Sequence, residues 1–451
     1  MSAAPAPAPA HPIDPGALIR SRGYVGLLVL AAIIGIVVSL AGWAFLELTV
    51  AMQHWIYQDL PVAIGFATAP WWWPLPVLVL AGFPVALAIT RLPGHGGHRP
   101  AGGLNAGPPT QPVELPGVLL AAVAGIGLGV VLGPEAPLIA MGGALALLTI
   151  GQVRKGAPDQ VKLVMAAAGS FAAISTIFGN PVIGAVIIIE AAGLGGPTLT
   201  LILLPGLLAA GIGSVVFVGM GTVSGLSTSA YALPPLGLAQ PTELVAVDFV
   251  WAIVIAVIAA FIVRAIVELA WKAEAVMMTR PLVLIPAAGG VVALLAIAYA
   301  QLTGQTADVV LFSGQDAMSS VVKDAPTLSA GTLAALVLFK GLAWAVSLGG
   351  FRGGPTFPAM FLGLVVGLVA SAALGVSETT MIAIGMGAMT VSMLRLPLAS
   401  VILAMVVTQA SLTTTPLIVL AVVVAYIVTE LLGARRRPVP IPTPMRPAPT
   451  A

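Results

Sequence analysis

Long runs of apolar residues without a single charge dominate the pattern along the chain. A helix that crosses the hydrocarbon core of a bilayer needs roughly 20 apolar residues. The pattern therefore predicts an all-α protein with many membrane-spanning helices. The run 191–242 has the length for two passes. The charge-free runs cover residues 24–46, 60–90, 115–134, 136–153, 163–189, 191–242, 249–263, 281–307, 353–377, 379–394 and 396–429.

Breaks rich in Gly and Pro interrupt several of these runs. They carry the letters GPEAP (133–137), GNP (179–181), GGP (353–355) and LPL (396–398). Such breaks inside apolar segments are typical of discontinuous helices that end partway through the bilayer. We therefore expect broken and re-entrant helices rather than a bundle of simple hairpins.

Composition narrows the class of protein. Charged residues make up 8% of the 451 residues, and the mean hydropathy is +1.09. So few charges cannot cover the surface of a soluble domain, which excludes a soluble enzyme, a nucleic-acid binder and a disordered chain. There is no Cys, and the four His (His11, His54, His95, His98) are scattered. We expect no metal site and no cofactor.

The ends of the chain differ from the rest. Residues 1–19 form an Ala- and Pro-rich leader that we expect to be disordered, and 435–451 form a basic and then Pro-rich tail without a regulatory cytoplasmic module. Arg20 and Arg22 precede the first span and Arg435 to Arg437 follow the last. Both termini are therefore expected on the cytoplasmic side of a plasma (inner) membrane. The transmembrane domain is expected over 20–434.

The two halves of that domain contain similar sequence patterns. They cover about 24–235 and 247–433. Gly133-Pro134-Glu135-Ala136-Pro137 and Gly354-Pro355-Thr356-Phe357-Pro358 share the pattern G-P-x-x-P. The segments that begin at Pro181 and Pro397 follow at similar spacings. Matched landmarks of this kind predict two inverted-topology repeats whose broken helices meet near the midplane. The exposed N–H groups of such helices attract an anion, although the breaks could also serve packing alone.

Glu135 is the most informative single residue. It lies inside a break between two charge-free runs, where a carboxylate is costly unless it is protonated, paired or held by helix N-termini. At a helix start it could occupy an anion site as a tethered competitor, and protonation would release it. The alternative is an ordinary Glu in a first helical turn.

Three further charges could serve an ion path. Glu190 could be a second proton site or a helix-end acid that faces water. Lys340 and Arg352 flank the GGP break and could add positive potential, although lysines near helix ends more often snorkel to the interface.

Together these segments resemble the CLC family of chloride channels and proton/chloride exchangers. Residues 115–143 are similar to its gating-glutamate helix pair, with Glu135 at the gating position. The other similar segments are PGHGGHRPAGGL (93–104), FGNPVIGAVIIIE (178–190), SLGGFRGGPTFPAMFLG (347–363) and RLPLASVILAMVVT (395–408). The resemblance covers nearly all of 20–434.

The resemblance implies a homodimer in membrane lipid, each subunit with its own anion pathway. It implies that helix N-termini from three segments face the anion. The residues expected there, besides Glu135, are Gly94, His95, Gly96, Gly133, Ala136, Gly354, Thr356, Phe357 and Pro358.

The chain also departs from the family pattern. His95 stands where the family has Ser, and it could bind the anion, sense pH or face a solvated vestibule. A shifted register would instead bring Asn105 to the site. Pro134 and Pro355 each remove a backbone donor, and the Thr356 hydroxyl could return one. The family's C-terminal Tyr has no counterpart, and Ala191 replaces its internal proton-transfer glutamate.

The predicted function is permeation of chloride or a similar small anion, gated by Glu135, and channel-like or weakly proton-coupled. Alternatives are a fully coupled proton/chloride antiporter and a carrier of another small anion such as fluoride or nitrate. Two other classes compete. A carrier of an organic substrate needs more polar pocket residues than the chain offers. An intramembrane enzyme needs paired acids, a Ser/His dyad or a zinc motif, and none occurs.

Overall fold

A computed structural model describes residues 20–104, 107–193, 196–225, 235–239 and 245–433. The leader, Asn105 and the basic tail lie outside these residues. The helices are α1 Arg22–His54, α2 Pro74–Arg91, α3 Leu115–Gly127, α4 Glu135–Val153, α5 Asp159–Phe178, α6 Pro181–Ala191, α7 Gly196–Ser224, α8 Ala246–Met277, α9 Pro281–Thr303, α10 Ala317–Asp324, α11 Ala330–Gly350, α12 Thr356–Leu374, α13 Glu378–Leu394, α14 Pro397–Thr408 and α15 Thr415–Leu431. A π-helical turn, Trp55–Asp59, and a short helical turn, Leu60–Ala63, extend α1.

The prediction of a multi-spanning all-α protein is confirmed. Within the described residues, nine helices are long and apolar enough to cross a membrane, and five shorter apolar helices accompany them. One detail is wrong: the described part of 191–242 holds a single long helix, α7, rather than two passes. Pro205 lies inside α7 without ending it, and Gly206 packs against the ring of Phe171 on α5.

All four Gly/Pro breaks separate helices. The first ends the link from α3 to α4, the second lies between α5 and α6, the third between α11 and α12, and the fourth between α13 and α14. Local chemistry explains where the new helices begin. The Asn180 side chain accepts a hydrogen bond of 2.8 Å from the Val182 N–H, and Pro181 starts α6 where its missing N–H costs nothing.

The two halves meet at equivalent residues. Gly133 and Gly354 pair as an antiparallel bridge, with N–H to carbonyl distances of 2.8 Å and 2.6 Å in the two directions. Residues at matching positions of two repeats can pair reciprocally only where a two-fold axis passes between them. The bridge therefore marks the pseudo-two-fold axis of the inverted repeats, and it holds the starts of α4 and α12 together.

Small residues bring the helices of each half close together. Gly142 on α4 lies against the backbone of Gly169 on α5, and Gly363 on α12 lies against that of Gly385 on α13. A methyl group at any of these positions would overlap the facing helix. Close contact through glycine is the usual way in which helices pack inside a bilayer, and here it occurs at matching places in both halves.

Candidate functional site: a buried carboxylate between two helix starts

Glu135 is the first residue of α4, and its side chain is fully buried. Its Oε1 atom accepts a hydrogen bond of 2.5 Å from the backbone N–H of Thr356, the first residue of α12. The carboxylate thus lies at the N-termini of two helices, one from each repeat. Both helix dipoles present their positive ends there, which favours a negative charge.

Glycine creates the space that the carboxylate occupies. A methyl group at Gly133 or at Gly354 would overlap the carboxyl group of Glu135. The Phe357 ring also borders this space, and it packs on the Phe178 ring with 5.5 Å between the ring centroids. The absence of two side chains therefore leaves a cradle, formed by Gly133, Gly354, Thr356 and Phe357, that fits one carboxylate.

Two polar atoms in this cradle are buried without a hydrogen-bond partner. They are Glu135 Oε2 and the hydroxyl Oγ1 of Thr356. Leaving a buried polar atom unpaired costs about 1–3 kcal/mol, more for a charged group. An acceptor that reached the Thr356 hydroxyl, or a proton on Oε2, would lower that cost. The Glu135 carboxyl group is therefore not fully satisfied in the cradle, and another acceptor could replace it there.

The turn at 93–97 is connected to this region by Arg352. The Arg352 side chain is buried, its Nε donates to the His95 carbonyl at 3.4 Å, and its Nη1 donates to the Phe351 carbonyl at 3.0 Å. The imidazole of His95 is exposed, with Nδ1 3.0 Å from the carbonyl oxygen of Ile89. Arg352 therefore holds the backbone of the turn beside the segment that leads to α12.

His98 stabilises the segment that directly follows this turn. Its Nε2 donates to the Gly103 carbonyl at 2.7 Å, and burial, with a smaller contribution from the charge of Arg352, lowers the pKa of its imidazole. His98 is therefore neutral at pH 7, where one ring nitrogen can donate this bond.

Lys340 does not snorkel, contrary to the tendency expected from the sequence. Its side chain is fully buried, and its Nζ lies 2.9, 3.1, 2.9 and 3.3 Å from the carbonyl oxygens of Val309, Val310, Leu311 and Phe312, which share its N–H donors. It also stands 4.5 Å from the centroid of the Phe361 ring. Carbonyl dipoles and a ring face stabilise the ammonium in place of water. Through Phe312, whose N–H donates to the Gly129 carbonyl at 3.1 Å, this loop contacts the non-helical segment that leads to Glu135.

Glu190 lies at a different helix start. Its Oε1 accepts from the Leu398 N–H and its Oε2 from the Ala399 N–H, both at 2.8 Å. These are free N–H groups in the first turn of α14, which has no side-chain cap of its own. Glu190 therefore caps a helix of the opposite repeat.

The structure brings Gly133, Glu135, Gly354, Thr356 and Phe357 into one cradle. Ala136 and Pro358 lie buried in the first turns of α4 and α12. Gly94, His95 and Gly96 form a separate turn joined to it through Arg352. Sequence reasoning missed Phe178, although an aromatic residue directly before the GNP break could have suggested it. The described residues contain no group of three or more His, Asp or Glu that could hold a metal ion.

The chain matches a known protein family. The sequence profile of the family described as voltage gated chloride channel matches residues 85–430. The ion-transport protein YfeO of Salmonella paratyphi A is 31% identical over 362 residues, which cover 78% of this chain and 81% of that protein. YfeO of Salmonella schwarzengrund is 32% identical over 364 residues, with the same coverage.

Solved structures have the same fold. A slow cyanobacterial Cl⁻/H⁺ antiporter matches with a TM-score of 0.71 and 19% identity, over 91% of this chain and 95% of that one. A CLC-type fluoride/proton antiporter matches with a TM-score of 0.65 and 18% identity, over 90% of this chain and 96% of that one. At such identity the likeness establishes the architecture alone.

Proposed function

Because the chain belongs to the voltage-gated chloride channel family, we propose that it carries chloride or a similar small anion through the membrane and that Glu135 gates the pathway. The observation that carries this proposal is the Glu135 carboxylate bound to the Thr356 N–H between two helix starts. A carboxylate in that place competes with a mobile anion for the same donors. Anion passage therefore requires the side chain to leave.

Protonation supplies the means of release. A neutral carboxyl group has a weaker attraction to N–H groups and to helix N-termini than a carboxylate, because hydrogen bonds to ionised acceptors are roughly twice as strong. Acidification should therefore free the cradle. Once Glu135 has moved, the Thr356 N–H and the buried Thr356 hydroxyl become donors for the anion, beside Phe357 and Pro358. The hydroxyl compensates for the donor that Pro355 lacks.

The turn with Gly94, His95 and Gly96 forms the inner end of the proposed pathway. Its support is the link through Arg352, a buried cation that stands between this turn and the α12 segment. The exposed imidazole of His95 could donate a hydrogen bond to an arriving anion, and it could donate two when it is protonated.

We propose that proton coupling is absent or weak. Ala191 replaces the internal acid of the family, and its neighbour Glu190 has both carboxylate oxygens bound to α14. Proton transfer through Glu190 would have to break these two bonds. A fully coupled antiporter is the second candidate, favoured by the two antiporters of similar fold, and one of them suggests fluoride as an alternative ion.

The test is anion flux in liposomes that contain the purified protein. Wild-type chloride efflux is expected to rise as the pH falls, and Glu135→Gln is expected to be equally active from pH 4.5 to 7.5. Glu378→Gln is a matched control, because Glu378 also lies in the first turn of a helix, α13, but outside the cradle. Wild-type pH dependence in Glu135→Gln would refute the gating role.

Two further measurements decide the ion and the coupling. Efflux compared in chloride, nitrate and fluoride identifies the preferred anion. A chloride gradient that drives no uphill proton movement supports the uncoupled mechanism, whereas proton uptake that Glu190→Gln abolishes supports the antiporter with Glu190 as its internal acid.

We also propose that both termini are cytoplasmic and that two copies associate, each with its own pathway. The contact between Arg99 and Glu274 joins the end of α8 to the turn after α2, and Arg280 follows on that side. Because the chain contains no Cys, single-cysteine variants have no background. A membrane-impermeant maleimide applied outside should label Lys323→Cys but not Arg280→Cys, since α9 crosses the membrane between them. The reverse pattern would invert the topology.

A further inference from the structure

A non-helical segment, residues 128–134, connects the end of α3 to Glu135, the first residue of α4. Residues 129–134 are buried, so contacts with neighbouring elements rather than with water determine the course of their backbone. Because Glu135 directly follows the segment, the position of the segment determines where the carboxylate can reach.

Contacts with other parts of the chain hold the 128–134 segment along its length. Gly133 forms the bridge with Gly354 at the far end of the segment. The remaining contacts are those of the Leu128 carbonyl with the Tyr57 hydroxyl at 2.9 Å, of the Gly129 carbonyl with the Phe312 N–H at 3.1 Å, and of the Val131 N–H with the Ser347 hydroxyl at 3.2 Å.

Tyr57 contacts the beginning of the segment in two ways. Its hydroxyl donates to the Leu128 carbonyl, and its ring meets the Phe312 ring edge-on, with 5.2 Å between the centroids. Phe312 in turn donates to the Gly129 carbonyl. One side chain therefore acts, directly and through Phe312, on two consecutive carbonyls at the point where α3 ends.

Gly129 makes room for the Tyr57 hydroxyl. Its φ is 105°, a conformation that disfavours side chains, and a methyl group there would overlap the hydroxyl and approach the Phe312 ring. The backbone leaves α3 at this residue, so the Tyr57 hydroxyl lies directly against the exit from the helix.

The turn that carries Tyr57 is π-helical and is itself held in place. It covers Trp55–Asp59, and π-helical turns are rare and frequently occur at functional sites. The Trp73 indole N–H donates to the Ile56 carbonyl at 2.9 Å, and Ile56, Trp73 and Val77 form a small buried cluster against which Tyr57 packs. Tyr57 therefore joins this cluster at the end of α1 to the segment that precedes Glu135.

We infer that Tyr57 is a positioning residue for the gate. Its hydroxyl bond and its ring contact hold the start of the 128–134 segment, and so keep the Glu135 carboxylate within reach of the Thr356 N–H. The inference rests on the proposed gating by Glu135, and Tyr57 acts on the backbone rather than on the anion. Without the hydroxyl bond the segment gains freedom, the contact between Glu135 and Thr356 weakens, and less acid is needed to release the carboxylate.

The test compares chloride efflux from liposomes between pH 4.5 and 7.5 for the wild type and Tyr57→Phe, which loses the hydroxyl and keeps the ring. Efflux at pH 7.5 should rise about threefold and half-maximal efflux should move up by about 0.5 pH unit, within the range that one neutral hydrogen bond allows. Tyr24→Phe is the matched control, because Tyr24 also lies in α1 and its hydroxyl is buried without a hydrogen-bond partner. It should follow the wild-type profile.

A double variant separates positioning from a merely structural role. Tyr57→Phe combined with Glu135→Gln should match Glu135→Gln alone at every pH, because no carboxylate remains to be positioned. A merely structural bond would lower Tm and leave the pH profile of Tyr57→Phe like that of the wild type. That result, or a further increase in efflux in the double variant, would overturn the inference. Wild-type pH dependence in Glu135→Gln would instead refute the gate itself, so the two failures are distinguishable.

Discussion

Two carboxylates of this chain bind the N-terminus of a helix in the opposite repeat, and they differ in how completely they are satisfied. Glu190 is partly exposed, and each of its oxygens accepts one N–H of α14 at 2.8 Å. Glu135 is fully buried, one oxygen accepts the Thr356 N–H, and the other oxygen has no partner. The first arrangement resembles a completed helix cap, whereas the second leaves one carboxyl oxygen without a partner.

The difference has a physical consequence. A carboxylate with both oxygens bonded gains nothing by moving, so Glu190 stabilises the packing of α6 against α14. A buried carboxylate with one unpaired oxygen lies closer in free energy to its alternatives, which are a protonated form and a position in water. An acid at a helix N-terminus is therefore held in place when both of its oxygens are bonded, which we call a clamp. It can leave more readily when it is buried with one oxygen unpaired, as a gate requires.

Removal of each carboxylate tests this contrast most directly. Glu135→Ala should raise chloride efflux at pH 7.5 about tenfold or more, because the competitor loses a charge-assisted hydrogen bond of about 1.5–3 kcal/mol. Glu190→Ala should leave chloride efflux within about twofold of wild type, which corresponds to a change of less than about 0.5 kcal/mol in the free-energy barrier to efflux. Efflux from reconstituted liposomes measures both. Equal effects of the two variants would contradict the distinction between gate and clamp.

The cradle can also be emptied without removing the charge. Gly354→Ala introduces a methyl group that overlaps the Glu135 carboxyl group, so the side chain must move away. We expect efflux at pH 7.5 to rise severalfold and to depend less on pH. Gly151→Ala, at a position of α4 with nothing within 4 Å, is the control. Unchanged efflux in Gly354→Ala would mean that the cradle accommodates both groups.

The clamp should be visible in stability rather than in transport. Because Leu396 precedes α14 and cannot cap it, loss of the Glu190 carboxylate leaves the Leu398 and Ala399 N–H groups unpaired. Glu190→Ala should therefore cost about 1–2 kcal/mol and lower Tm by a few degrees, as loss of a cap does. Asp159→Ala, an exposed acid in the first turn of α5, should change stability by less than about 0.5 kcal/mol. Equal Tm shifts would argue against a capping role.

The smallest expected effect concerns His98, whose titration should change the stability of the protein with pH but not the gating. Burial lowers the pKa of His98, so the unfolded chain binds its proton more readily than the folded chain does. The contribution of His98 is complete above its unfolded pKa of about 6.5 and is lost as the pH falls below it, by at most about 1.4 kcal/mol per pH unit. His98→Gln should reduce the change in Tm between pH 7 and pH 5, and it should leave the pH dependence of chloride efflux unchanged. Loss of that dependence would link the turn to the gate.

Much of the fold follows from local chemistry. The charge-free runs predicted the spans, and the breaks at GPEAP, GNP, GGP and LPL coincide with helix boundaries, where Gly and Pro together favour the end of one helix and the start of the next. The repeat of G-P-x-x-P predicted two equivalent helix starts, which are now α4 and α12. The α7 segment differs from the prediction: the helix continues through Pro205, and Gly206 packs there against the Phe171 ring.

The site itself could be predicted only in part. Glu135 stood out because an acid inside an apolar run is costly, and this cost depends on the sequence alone. The hydrogen-bond partner of Glu135 could not be identified from a local pattern, because Thr356 is 221 residues away in the sequence. Lys340 likewise looked suited to snorkelling, but the carbonyls of 309–312 surround its ammonium in the folded chain.

By itself, the sequence determined that this chain lies in a membrane, where its helices break at the four Gly/Pro motifs, and that the Glu135 carboxylate lies between two apolar helices. Those properties depend on the free energy of transferring residues from water and on the conformational limits of Gly and Pro, both of which act locally. Only the tertiary structure decided which helix start each acid contacts, and the proposed distinction between gate and clamp is based on those contacts. Glu135 meets the Thr356 N–H, and Glu190 meets the N–H groups of Leu398 and Ala399. Each contact joins residues more than 200 positions apart, so no local pattern of the sequence specifies it.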